Sequence, residues 1–120
     1  MSKQRQVVLT AVLNSHDHPS AEMILLRSKE IMPSINLATV YRNLNALIKE
    51  GLVKKVVAEG GDRFDTTTYN HAHFQCLSCN SVTDVMGVDL NGVTDKCGNG
   101  YVVNGVDLII KGICPDCNNG

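Results

Sequence analysis

No apolar run in these 120 residues approaches the roughly 18 that a membrane-spanning helix needs. No signal-peptide pattern opens the chain, so no export is expected. Neither sign of charge is in excess. Eleven basic residues against 12 acidic ones give −1, which taken whole is no reason to expect nucleic acid. No internal repeat or low-complexity tract occurs, although Gly and Asn crowd 91–105. The five cysteines are an odd number, and a secreted disulfide framework is not expected. Metal-binding thiolates in a reduced, cytoplasmic compartment are. The length leaves no room for a second domain of ordinary size. A 43% hydrophobic content allows a core, but a thin one, so help from a metal or a partner chain is expected.

The near-zero charge hides an asymmetry. Through Asp65 there are nine basic residues (Lys3, Arg5, Arg27, Lys29, Arg42, Lys49, Lys54, Lys55, Arg63) against seven acids, giving +2. Beyond it only Lys96 and Lys111 face five acids, giving −3. No cysteine precedes Phe74 and no histidine follows it. A junction is expected at 65–70, in the polar run Thr66-Thr67-Thr68.

The first half reads as three helices and a hairpin. Val8, Leu9, Val12 and Leu13 recur at helical spacing over 4–15. Ser20 can cap a second helix from Ala21 to Glu30, ended by Pro33. A third begins after Ser34 or Asn36 and runs to Glu50. Its stripe is Leu37, Val40, Leu44, Leu47 and Ile48, and Gly51 sits where a cap glycine belongs. Leu52–Val57 and Arg63-Phe64-Asp65 flank Gly60-Gly61 as two strands of a hairpin. This order matches a winged helix-turn-helix, whose third helix enters the major groove while the hairpin lies along the backbone. Arg42, Lys49, Lys54 and Lys55 oppose Glu50 alone over 36–55. Tyr41, Arg42, Asn43 and Asn45 are expected to face away from the stripe, where Arg and Asn suit guanine and adenine edges. The plain alternative is an amphipathic helix with a solvated face.

The second half reads as strands. Thr68–Cys76 and Ser81–Val85 are expected to form a hairpin around 77–80. Val88–Cys97 is ambiguous, a brief helix at most. Tyr101–Val103 and Val106–Ile110 flank Asn104-Gly105, a hairpin signal. Val102, Leu108 and Ile110 suit either a private core or contact with a second copy.

Two ligand sets follow from spacing. Cys76-x-x-Cys79 and Cys114-x-x-Cys117 are two thiolate knuckles that together offer a tetrahedral four-cysteine site. Soft thiolates in that geometry select zinc, and such sites are usually structural. Redox pairs or disulfides are the alternative, and Cys97 belongs to neither pair. His71 and His73 share one face of a strand. If the first knuckle forms the turn, residue 73 falls opposite about 84, and directly opposed residues share a face. Asp84 then joins the histidines in a nitrogen and oxygen donor set apart from the thiolates. A satisfied surface His pair beside a solvated carboxylate is the alternative.

Several segments together resemble the ferric uptake regulator family of metal-dependent repressors. They are His18-Pro19-Ser20-Ala21-Glu22, Leu37-Ala38-Thr39-Val40-Tyr41-Arg42-Asn43-Leu44, Gly51-Leu52-Val53, Arg63-Phe64-Asp65, His71-x-His73 and both Cys pairs. The resemblance spans 4–117, with these segments in the family's order. The resemblance implies an α+β fold. A winged helix-turn-helix DNA-binding domain would cover 1–66, and a small α/β dimerisation domain with the four-cysteine zinc site would cover 67–120. It implies a homodimer on a palindromic double-stranded operator, with no membrane association and no enzymatic activity. It implies structural Zn(II) on Cys76, Cys79, Cys114 and Cys117, and regulatory Fe(II) or Mn(II) on His18, Asp65, His71, His73 and Asp84. It places Asn36, Thr39, Tyr41 and Arg42 at the recognition helix, Lys54 and Lys55 on the wing, and Lys3 and Arg5 near phosphates.

An ion bound by all five regulatory residues would clamp the two halves in one orientation and act as corepressor, because binding energy favours the closed form. Asp at both carboxylate positions resembles the peroxide-sensing branch, whereas iron-uptake regulators tend to place Glu at one or both. In that branch iron-driven oxidation of a ligand histidine, here His18 or His71, releases DNA. The near-neutral charge implies modest attachment per chain, so tight binding should need two copies in register. The chain departs from the family in lacking Thr-Pro before Gln4-Arg5, in a compressed, Gly/Asn-rich 91–105, and in having no further histidine for an accessory metal site. Competing readings are an iron- or manganese-supply regulator of the same family, and a zinc-ribbon interaction module that binds no DNA. A redox enzyme lacks the strand-to-helix setting its Cys pair would need, and hydrolysis lacks a separate general base.

Overall fold

The computed structural model describes residues 1–66 and 71–119. Thr67 and Thr68 of the expected junction, and residues 68–70 of the expected strand, lie outside them. The chain divides into two compact units, the first ending at Thr68 and the second beginning at Tyr69. Among the described residues no helix is long and apolar enough to cross a membrane.

The first unit holds three helices and a hairpin: α1 (Lys3–Leu13), α2 (Ala21–Lys29), α3 (Leu37–Lys49), β1 (Lys54–Val56) and β2 (Arg63–Asp65). Each helix starts on a side chain that satisfies an otherwise orphaned N–H. Ser2 Oγ accepts from Arg5 N at 3.1 Å, Ser20 Oγ from Met23 N at 3.2 Å, and Asn36 Oδ1 from Thr39 N at 2.9 Å. The second helix stops short of Pro33. The N–H groups of Ile31 and Met32 both turn back onto the Ser28 carbonyl, at 3.1 and 2.8 Å. The third ends as its sequence suggests, with Gly51 at φ 76, a left-handed conformation that glycine adopts without steric cost.

The core joins Val8, Ala11 and Val12 of α1, Ala21 and Ile24 of α2, and Val40, Leu44 and Leu47 of α3, with Ile35, Val53 and Phe64. The hairpin is antiparallel with Lys55 opposite Phe64. Phe64 is buried in the helical core, whereas the Lys55 side chain is exposed. This fixes where β2 runs, and with it Asp65.

The second unit is a three-stranded sheet in the order β4-β3-β5, built from β3 (Ala72–Cys76), β4 (Val82–Val85) and β5 (Ile109–Gly112). β3 pairs antiparallel with β4, with His73 opposite Asp84, and parallel with β5, with Cys76 opposite Gly112. A short helix, α4 (Leu90–Thr94), and a 3-10 turn over Asp95–Cys97 lie between β4 and β5. The Asp89 carboxylate starts the helix by accepting from Gly92 N at 3.1 Å.

One expectation about the second unit fails. Asn104-Gly105 does not close a hairpin: no strand forms over 101–108, and Tyr101 and Val102 are 72% and 87% exposed. The reason is topological. β5 pairs with β3 in parallel, and a tight two-residue turn can deliver only an antiparallel neighbour. The chain leaving β4 must pass β3 to reach its far side, and 86–108 is spent on that passage.

Leu47 is fully buried. Leu47→Ala is expected to destabilise the first unit by about 2–5 kcal/mol, from lost burial plus the cavity left behind, seen as a lower urea midpoint at unchanged slope.

Candidate functional site

The parallel pairing of β3 and β5 brings the four paired cysteines together. Cys76 ends β3 and its knuckle follows at once; Cys114 and its knuckle follow β5. Parallel neighbours finish at the same end of a sheet, so both knuckles meet there. They share a turn geometry: Asn80 N donates to Cys76 O at 2.8 Å and Asn118 N to Cys114 O at 3.0 Å. Leu77 N donates to Gly112 O at 2.7 Å and locks the two strand ends together. The four sulfurs lie within 4.8 Å of one another, and none is in a disulfide. Cys79 and Cys114 Sγ are 3.9 Å apart. That is close to the roughly 3.8 Å edge of a tetrahedron with metal–sulfur bonds of about 2.3 Å.

The thiols are tuned unequally. The backbone N–H groups of Cys114 and Cys79 point at Cys76 Sγ, at 3.4 and 3.5 Å, and bring that thiol down to about 6. The Ser81 hydroxyl, 3.1 Å from Cys79 Sγ, lowers Cys79. At Cys117 the Ser78 hydroxyl draws the thiol down, but Cys114, Cys76 and Cys79 crowd it and it ends up at about 12. Four thiolates cannot share so small a volume without a cation. The donor set and its spacing fit a tetrahedral, sulfur-preferring ion.

A second donor group belongs to the same unit. His71 Nε2 lies 2.7 Å and His73 Nε2 3.4 Å from one oxygen, Asp84 Oδ1. The rings tilt at 49° with centroids 4.3 Å apart. The β3–β4 register explains the convergence. His73 directly faces Asp84, and His71, two residues earlier, keeps the same face.

The first unit carries its own pair, with His18 Nε2 at 3.4 Å from Asp65 Oδ2. His18 adopts φ 51, a left-handed conformation uncommon for a side-chain-bearing residue. Its segment is tied to β2. Phe64 N donates to Pro19 O at 3.0 Å, Ser20 bridges to Arg63, and Arg63 Nη1 donates to His18 O at 3.2 Å. On the other side Arg27 grips Asp17 through two bonds of 3.0 and 2.9 Å and reaches Ser15 Oγ at 2.6 Å.

The residues expected to face DNA divide. Tyr41 and Arg42 are exposed on α3, Lys55 is exposed on the hairpin, and Lys3 is exposed at the start of α1. Lys54 is half-buried. Arg5 is engaged by Glu50 at 3.1 Å. The Asn36 side chain is the helix cap. Thr39 is buried and its hydroxyl holds Arg42 Nη2 at 3.1 Å. Asn43 is a correction: it is buried at 5% exposure and its Nδ2 donates to Thr39 O at 2.8 Å. It follows Val40 by three residues and precedes Leu47 by four, so it sits on the core side of the helix.

The pattern of the family described as the ferric uptake regulator family matches residues 1–111. The chain belongs to that family. It is 30% identical to the peroxide-responsive repressor PerR of Staphylococcus aureus over 122 aligned positions, 99% of this chain and 82% of the relative. It superposes on the Campylobacter jejuni peroxide stress regulator with a TM-score of 0.77 at 30% identity, covering 95% of this chain and 88% of that one. The Helicobacter pylori ferric uptake regulator, described as having three functional metal binding sites, gives a TM-score of 0.81. At 24% identity, covering 100% of this chain and 83% of that one, that likeness speaks for the fold: a winged-helix domain followed by a dimerisation-type domain. As a ferric uptake regulator family member the chain is a transcription regulator and not an enzyme.

Sequence reading missed Arg63 and Arg27 as holders of the His18 segment. Arg63 counted only as positive charge, because its partner lies 45 positions away. The Arg27 guanidinium keeps the Asp17 carboxyl below its ordinary 3.8. A lowered acid stabilises the fold above its unfolded value and loses that contribution as pH falls through the folded one. Asp17→Asn is therefore expected to cost the first unit about 1 kcal/mol or less at pH 7, since the pair is largely exposed. The gap from wild type should close on acidification, as read by urea unfolding along a pH series.

Proposed function

We propose that this ferric uptake regulator family member is a metal-dependent, homodimeric DNA-binding repressor that responds to peroxide. In this reading residues 1–66 bind DNA and 67–120 form the dimer. The observation that carries it is the convergence of His71 and His73 on Asp84 Oδ1, at 2.7 and 3.4 Å. Two imidazoles aimed at one carboxylate oxygen form a partial coordination shell. The His18–Asp65 pair of the first unit supplies the rest.

The regulatory ligands are then His18, Asp65, His71, His73 and Asp84. Three nitrogens and two carboxylates are borderline-to-hard donors that suit Fe(II) or Mn(II). Cys76, Cys79, Cys114 and Cys117 hold structural Zn(II) and tie the end of β5 to the first knuckle. One ion bound by residues of both units favours a single arrangement of them. In a two-fold dimer that arrangement sets the separation of two α3 helices, which must match half-sites of a palindromic operator. Tyr41 and Arg42 face base edges. Lys54 and Lys55 meet phosphates, as do Lys3 and, by exchanging Glu50 for phosphate, Arg5. Such a regulator works in the cytoplasm.

Fe(II) held by these residues would supply the redox chemistry that activates peroxide. One peroxide oxygen leaves as water, and the net change on the protein is insertion of the other at an imidazole C–H. His18 and His71 are the rings proposed to take it. An oxidised ring is a poor ligand, so the link between the units weakens and DNA is released. Names of the S. aureus and C. jejuni relatives support the peroxide response, as does an aspartate at both carboxylate positions.

Operator binding is expected with either Mn(II) or Fe(II), and peroxide should abolish it only with iron. Mass spectrometry should then find one added oxygen on the peptide carrying His18 or His71. Oxidation confined to methionine or Cys97 would sink the peroxide reading. Iron-loaded binding that survives peroxide would point to a metal-supply regulator instead.

A further inference from the structure

We propose that Arg63 is a positioning residue for the His18–Asp65 ligand pair, an inference that rests on the regulatory site described above. Three consecutive residues, His18, Pro19 and Ser20, are fastened to Arg63 and Phe64, the two residues that immediately precede Asp65. Phe64 N holds Pro19 O at 3.0 Å, Ser20 bridges to Arg63, and the Arg63 guanidinium donates to the His18 carbonyl at 3.2 Å. The first two contacts are made by backbone and hold the segment whatever side chain stands at 63. The third is made by a side chain, and it grips the peptide of the ligand residue itself.

The grip falls where the backbone most needs it. His18 sits at φ 51, a conformation an L-residue adopts only when its surroundings impose it. A released carbonyl would let the segment relax toward ordinary φ, and the imidazole would swing away from Asp65. With the bond in place His18 Nε2 stands 3.4 Å from Asp65 Oδ2, so the pair meets a cation already assembled. Arg27 completes the restraint by holding Asp17, the residue before His18, through two bonds. Partners that orient ligands typically change metal affinity about 10- to 100-fold when removed.

Arg63 also lies on the hairpin, where a cation can touch DNA. The test therefore reads metal, not DNA. The zinc-loaded protein, residues 1–120, is titrated with Mn(II) by calorimetry, and with Co(II) while its visible d–d absorption is followed. Arg63→Met keeps the aliphatic stem and loses the donors; Arg63→Lys keeps one. Arg63→Met is expected to weaken Mn(II) binding about tenfold or more and to shift the Co(II) bands. Arg63→Lys should recover part of both. If Arg63→Met binds Mn(II) within about twofold of wild type while His18→Ala and Asp65→Asn bind weakly, the positioning role is wrong and the ligand assignment stands. If His18→Ala and Asp65→Asn also bind normally, the ligand assignment itself fails. Equal losses in Arg63→Met and Arg63→Lys, matched by equal losses of urea midpoint, would reduce Arg63 to a structural residue and overturn the proposal.

Discussion

β3 has two neighbours, and its two pairings set every candidate ligand of the second unit. Antiparallel to β4, it opposes His73 to Asp84. Parallel to β5, it brings Cys76 level with Gly112, so both cysteine knuckles emerge at one end. A one-residue slip against β4 would turn Asp84 to the other face. An antiparallel β5 would send Cys114 and Cys117 to the opposite end of the sheet. Each change removes one donor set, and the two sets share no residue but share β3. A cation among the thiolates would in turn hold this register, since it links the ends of two strands that are distant in sequence.

The first unit solves the same problem with a hydrophobic anchor. Phe64 is 3% exposed, packed into the helical core, and its flanking residues do the rest. Arg63 and the Phe64 backbone take hold of residues 18–20, and Asp65 follows directly. Burial of one aromatic ring thus decides where a carboxylate and an imidazole meet. The fold that exposes Tyr41 and Arg42 on α3 also sets the His18–Asp65 donor pair beside the hairpin.

Much of this was legible in the sequence because it rests on local periodicity. The helix start at Ser20, the narrowing of the next start to Ser34 or Asn36, the stripe on α3 and the glycine stop at Gly51 all depend on neighbours within a few residues. The facing of His73 and Asp84 was legible too, since a short turn carries strand register across a hairpin. The set of four paired cysteines was readable from spacing and the chemistry of sulfur. Asn104-Gly105 misled because a turn signal is local, while the parallel partner that claims β5 is distant. Asn43 misled because a polar residue on the core side of a helix looks like any other polar residue until its Thr39 carbonyl partner is seen. Arg63 carried no local signal at all, as its bond spans 45 positions.

The central claim is that one chain keeps two chemically separate metal sites, one of sulfur alone and one of nitrogen and oxygen alone. X-ray absorption on protein loaded with one Zn(II) and one Mn(II) per chain tests it most directly. The account predicts a zinc edge with only sulfur neighbours near about 2.3 Å and a manganese edge with only nitrogen and oxygen neighbours. Sulfur around manganese, or imidazole in the zinc shell, would contradict it.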